Sequence, residues 1–106
     1  MTRHATTFGA FEIESLPSQP QIGFCHAFFV RHDRRGEGLA HTLKTVQANV
    51  LAHDQYDYGL CTCDGANVAQ QRVLSAAGWR MLDAFSNSKT GGVTQIWGRP
   101  IAREAA

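Results

Sequence analysis

Six consecutive residues, Arg35-Gly36-Glu37-Gly38-Leu39-Ala40, have types and a spacing that could do chemistry. They lead from an apolar run ending at Val30 into a segment whose apolar residues recur at helical spacing. Two glycines one residue apart let a backbone approach an anion through conformations closed to other residues. Successive N–H groups then point inward, and the following helix adds the positive end of its dipole. Arg34 and Arg35 can add charge. A hydrogen bond to a charged group contributes about 1.5–3 kcal/mol, so roughly three or four would hold a diphosphate. Two better-known phosphate loops are excluded: Gly-Lys-Ser/Thr is absent, and the third small residue of the dinucleotide fingerprint is replaced by His41. The alternative is an ordinary strand-to-helix turn that uses glycine for tightness alone.

The elements that must position this turn follow from periodicity. Residues 1–6 read as frayed. Phe8 to Glu14 alternates and predicts a strand, and Leu16-Pro-Ser-Gln-Pro20 predicts a turn. Ile22 to Val30 is nearly continuously apolar and predicts a central strand buried on both faces. Leu39, Ala40, Leu43, Val46, Val50 and Leu51 predict a helix to about His53. Asp57 to Cys63 predicts a second short strand. Asn67 is a suitable N-cap for a helix from Val68 to Ala77, and Gly78 suits its C-terminal end. Trp79 to Phe85 and Val93 to Trp97 predict two strands joined by the polar loop 86–92.

Bulk properties agree with one domain over residues 1–106, its core at 8–100. A chain of this size buries roughly 65% of its unfolded surface, enough for a core without staples. A hydrophobic fraction of 43% with 18% charged residues is globular. Net charge of +1 gives no footprint for nucleic acid, and no apolar run is long enough to span a bilayer. Cys61 and Cys63 form a C-x-C on a strand that reads as buried. Reduced thiols in a cytoplasmic protein are the simplest account, and with no further ligands at metal spacing no metal is expected.

A second motif stands at Asn67-Val-Ala-Gln-Gln-Arg-Val-Leu-Ser-Ala-Ala-Gly-Trp79. Together the two segments resemble the GCN5-related N-acetyltransferase (GNAT) superfamily over about residues 8–100. The family's Gln/Arg-x-x-Gly-x-Gly/Ala loop matches Arg35 to Ala40 without a gap. Its Asn-x-x-Ala, then Tyr or Leu, then Gly-Phe pattern matches Asn67, Ala69, Leu74, Gly78 and Trp79, with a looser spacing at the first alanine. The resemblance implies a compact α/β (α+β) fold, a mixed and mostly antiparallel sheet flanked by two main helices in the order β-β-α-β-α-β-β. It also implies acetyl-CoA as cofactor. Backbone amides of Arg35, Gly36, Glu37, Gly38, Leu39 and Ala40 would hold the pyrophosphate. Main-chain groups of Phe28, Phe29 and Val30 would pair with the pantetheine arm, and Asn67 would reach it from the other side.

The implied reaction is acetyl transfer to an amine, possibly on a protein or other macromolecule. Roughly one lysine-like amine in 2,500 is neutral at pH 7, so a proton must be removed. His26 is the candidate base, expected on the same face as Val30; a core histidine bonded to a carbonyl is the alternative. Cys25 is expected on the opposite face, in the core. Leu74 stands where many members carry a tyrosine that protonates the leaving thiolate. Ser75, Cys63 or water are the substitutes.

The residues ahead of the first expected strand are too few for the family's front strand and helices. The acceptor site is then open, completed by a partner subunit in a homodimer, or absent. Two other readings follow: a catalytically reduced module that binds acetyl-CoA or a partner protein, and an interaction protein without cofactor. Trp79 and Trp97 are expected in the core. His41, His53 and Lys44 are expected in solvent, with Lys44 within reach of the nucleotide's 3′-phosphate. Arg31, His32 and Arg34 are expected on the rim of the loop.

Overall fold

The computed structural model describes residues 1–102; residues 103–106 of the single expected domain lie outside the described residues. Eight main elements follow in the order β1 (Thr2–Ala5), β2 (Gly9–Leu16), β3 (Gln19–Val30), α1 (Leu39–His53), β4 (Tyr58–Asp64), α2 (Val68–Ala76), β5 (Arg80–Ser86) and β6 (Val93–Pro100). The strands form one six-stranded sheet in the order β1-β2-β3-β4-β6-β5. Every neighbouring pair is antiparallel except β3 and β4. This is the expected mixed α+β architecture with one strand more at its front.

That strand corrects the frayed reading of residues 1–6. Thr2 to Ala5 pairs with Ile13 to Ala10. His4 stacks on Phe11 with ring centroids 5.3 Å apart. The Thr6 hydroxyl closes the turn, donating to the Gly9 carbonyl and accepting from the Phe8 and Gly9 amides. The turn before β3 is also shorter than expected. β3 begins at Gln19, and exposed Pro20 lies within it.

One buried core lies against one face of the sheet. Leu43 and Leu51 of α1 and Leu74 of α2 meet Phe11, Ile13, Cys25, Cys61, Cys63, Trp79 and Trp97 there. Burying a large apolar side chain of this kind contributes about 1.5–3 kcal/mol. Both tryptophans are buried, as expected. β3 is central, but it is not buried on both faces. Gly23 and Cys25 are buried on the helix side, while Phe24 and His26 are half-exposed on the other.

The alternation then breaks. Ala27 adopts φ of 53°, and the pairing of β2 with β3 passes from Glu12↔His26 to Ala10↔Phe29, which places one extra residue on β3. Such a bulge shifts every later side chain to the other face. Val30 therefore packs into the core, whereas His26 faces away from it, correcting the expectation that the two share a face. Cys25 is buried in the core, as expected.

Candidate cofactor cleft and acceptor face

β3 and β4 pair only from Ile22↔Tyr58 to Phe24↔Leu60. Beyond Phe24 and Leu60 the two strands part into a fork. The edge of β3 over Phe28–Val30 then borders a cleft of about 560 Å³, a size suited to a cofactor. β3 and α1 form one wall, through Phe28, Phe29, Val30, Leu39 and Ala40. α2 forms the other, through Asn67, Ala69, Gln70, Arg72 and Val73. Backbone donors and acceptors on an unpaired strand edge suit an extended amide-bearing ligand, which can add to the sheet as a further strand.

The glycine turn closes one end of the cleft. Gly36 and Gly38 take φ of 84° and 74°, a region that favours glycine. A β-carbon at either position would meet nothing within 4 Å, so both open onto free space. Gly38 is the N-cap of the fifteen-residue α1, and it supplies no side-chain cap. The first turn of α1 also carries no acidic residue. Its first N–H groups have no intrahelical acceptors, and they sit at the positive end of the dipole. These features fit an anion such as a pyrophosphate.

The structure brings most of the expected cofactor residues together. Phe28, Phe29, Val30, Arg35, Gly36, Gly38, Leu39, Ala40 and Asn67 all line the cleft. Glu37 does not. Its side chain points to Arg34, whose Nε donates to the carboxylate at 3.1 Å, and Arg34 itself lines the cleft. Arg35 Nε donates to the Val30 carbonyl at 3.2 Å, tying the loop to the end of β3. Arg31 and His32 are exposed, and Arg31 forms an ion pair with Asp33. Asn67 caps α2, its Oδ1 accepting from the Gln70 amide at 3.1 Å, which leaves its amide nitrogen as a donor. Leu74 is fully buried in the core, while its neighbour Val73 lines the cleft. Ser75 is exposed and lies outside the cleft lining.

His26 occupies the helix-free face of the sheet. Its Nδ1 lies 3.4 Å from Glu12 Oε2, and its Nε2 lies 3.7 Å from Glu14 Oε1. Phe24 stacks on its ring at 5.6 Å. Arg3 reaches Glu12 at 3.6 Å and lies over the Phe29 ring. Nε2 is buried and makes no hydrogen bond. Two carboxylates can hold an imidazolium, and the same pair can attract a cationic amine.

Sequence reasoning missed Lys44. It was expected in solvent, yet it is 1% exposed. Its Nζ lies 4.6 Å from the ring centroids of both Phe28 and Trp79 and donates to Gln47 Oε1 at 2.8 Å. Burial lowers its pKa from the ordinary 10.5, opposed by the neighbouring thiols Cys61, Cys25 and Cys63. Burial also pushes the Cys25 thiol up to about 12 and the Cys61 thiol up to about 11, with the Lys44 charge opposing both. Burial raises Cys63 as well. All three cysteines are free. His41 and His53 are exposed, as expected. Among the described residues no helix is long and apolar enough to cross a membrane.

No protein-family model matches the sequence, and a search of curated proteins finds no match. Solved structures do match in fold. An IAA acetyltransferase from Bacillus cereus superposes with a TM-score of 0.77 at 11% identity, over 92% of this chain and 72% of that one. The ribosomal-protein-S18-alanine N-acetyltransferase from Escherichia coli gives 0.75 at 13% identity, over 93% and 64%. A GNAT superfamily phosphinothricin acetyltransferase from Sinorhizobium meliloti, solved with AcCoA, gives 0.76 at 12% identity, over 89% and 54%. The chain thus spans less than two thirds of the length of several of its structural neighbours. Strand order, fork, glycine turn and two helices together are the GNAT fold.

Proposed function

We propose that this chain binds acetyl-CoA in the cleft and transfers the acetyl group to an amine on the helix-free face. The observation that carries this reading is the fork between β3 and β4, with the uncapped start of α1 at one end of the cleft. When bound, acetyl-CoA supplies an acyl group already activated as a thioester. The amides from Arg35 to Ala40 hold the pyrophosphate, and Arg34 and Arg35 add charge beside it. The β3 edge from Phe28 to Val30 aligns the pantetheine amides as an added strand. The Asn67 amide nitrogen reaches the arm from the opposite wall.

His26 removes the proton from the acceptor nitrogen, and Glu12 and Glu14 stabilise the imidazolium that forms. Ser75 is exposed away from the cleft, so the geometry gives it no part in protonating the leaving group. The helix-free face is open, which suits a peptide or protein amine. One structural neighbour is a NatC complex bound to a Gag peptide and CoA. A homodimer would use the β5 edge, where Met81, Leu82 and Phe85 are each about half exposed; sedimentation velocity measures it. Free thiols and acetyl-CoA use fit a cytoplasmic setting.

The test is release of free CoA from acetyl-CoA in the presence of amine-bearing peptides. Acetylated peptide formed in step with thiol release supports transfer. Cofactor binding without any product across a broad panel favours the second reading, a binding module, for which fully buried Leu74 at the usual tyrosine position is the specific observation.

A further inference from the structure

We propose that Lys44 is the counter-ion for the CoA thiolate that leaves during transfer; this rests on the acetyl-CoA reading above. Lys44 is a buried cation, and none of the ion pairs among the described residues includes it. A buried charge without a partner is costly, and such groups are concentrated where function uses them.

Its surroundings hold more donors than acceptors. Trp79 Nε1 and Gln47 Nε2 are both buried donors without hydrogen-bond partners, and both side chains touch Lys44. Three kinds of N–H donor therefore cluster there, and of these only Lys44 Nζ has a hydrogen-bond acceptor among the described residues, Gln47 Oε1. The neighbouring thiols supply no negative charge, because burial keeps them protonated.

The position is specific. Cys25 and Cys61, which feel the Lys44 charge most directly, are the first residues beyond the last paired positions of β3 and β4. Lys44 therefore lies near the apex of the fork, directly behind the Phe28 ring; Phe28 lines the cleft and Lys44 does not. The glycine turn is at the far end. An extended arm running from Val30 along β3 carries its sulfur toward Phe28, the β3 residue of the cleft farthest from the turn.

The step balances without a further reactant. The acceptor nitrogen bonds to the carbonyl carbon, and its proton passes to His26. The carbon–sulfur bond breaks with its electron pair on sulfur. The thiolate leaves paired with the Lys44 ammonium, which keeps its own protons. Leu74 then needs no replacement as acid.

The test compares CoA, desulfo-CoA and acetyl-CoA by isothermal titration at pH 8, with wild type and Lys44→Met. Methionine keeps most of the length and removes the charge, and circular dichroism confirms folding. Lys44→Arg, which keeps the charge, is the second variant. The wild type is expected to bind CoA about tenfold or more tightly than desulfo-CoA, as a charge-assisted contact requires. Lys44→Met should lose that preference yet hold acetyl-CoA, which has no ionisable thiol, as the wild type does. Lys44→Arg should keep part of the preference. A preference that survives in Lys44→Met, or is absent from wild type, overturns the proposal while leaving the cofactor reading intact. Failure of all three ligands to bind wild type overturns both.

Discussion

His26 and Val30 stand four residues apart on β3 and face opposite sides of the sheet. The reversal comes from Ala27, whose φ of 53° inserts one extra residue against β2. Phe28 and Val30 thereby face α1 and the cleft, while His26 joins Glu12, Glu14 and Phe24 on the helix-free side. In the proposed reaction the acyl donor and the base approach the fork from opposite faces. The bulge is what makes one strand serve both.

This assigns a stability role to Ala27. A β-branched side chain at left-handed φ is strained, so Ala27→Val is expected to cost about 1–2 kcal/mol. Ala27→Gly relieves the strain and should be neutral within about 0.5 kcal/mol. Urea denaturation of the three proteins checks both.

His26→Ala is expected to lower the transfer rate about 10²–10⁴-fold while leaving acetyl-CoA affinity unchanged. Turnover and titration on the same preparation separate the two effects. Unchanged turnover would remove His26 as base.

Glu12→Gln tests the partner of that histidine. It removes the carboxylate 3.4 Å from Nδ1 and leaves the strand pairing intact. With one carboxylate fewer to stabilise the imidazolium that forms, transfer should slow about tenfold while acetyl-CoA affinity stays unchanged. Unchanged turnover would show that Glu12 does not act through His26.

Lys44 predicts a pH dependence of stability with a definite sign. Its folded pKa is lowered from 10.5, so the buried charge is fully penalised at low pH. As pH rises toward 10.5 the folded chain releases the proton before the unfolded one, and the penalty is relieved. Cys25 and Cys61 act in the opposite direction. Their thiols are raised from 9.0, so stability is lost as pH rises above 9.0. Those thiols are present in both wild type and Lys44→Met, so the difference between the two proteins isolates Lys44 to a first approximation. Wild type should gain relative to Lys44→Met with rising pH, measured by denaturant melts from pH 6 to 10.

The glycine turn, both helices and five strands were legible because their signals are local. Glycine at positive φ, asparagine at an N-cap and apolar residues at helical spacing each act within a few positions. The bulge was not legible, because alanine carries no signal for left-handed φ and tertiary pairing imposes it. β1 was missed because Thr2-Arg-His-Ala5 has no apolar alternation; it is held as an edge strand by pairing with β2 and by His4 on Phe11. Lys44 was misread because lysines are rarely fully buried. A signal existed: Lys44 lies next to Leu43, and Leu43, Gln47 and Leu51 share one face four residues apart. Only the aromatic partners Phe28 and Trp79, distant in sequence, explain why that position is inside.

The cofactor cleft is tested by isothermal titration of the ligand-free protein with acetyl-CoA, with Gly38→Glu as the control. At Gly38 a side chain meets open space, so this variant should fold with a backbone cost of about 1–2 kcal/mol while placing a carboxylate at the start of α1. Wild type is expected to bind with micromolar affinity, and Gly38→Glu is expected to lose binding. No binding by wild type at millimolar acetyl-CoA, or equal binding by both proteins, would contradict the acetyl-CoA reading.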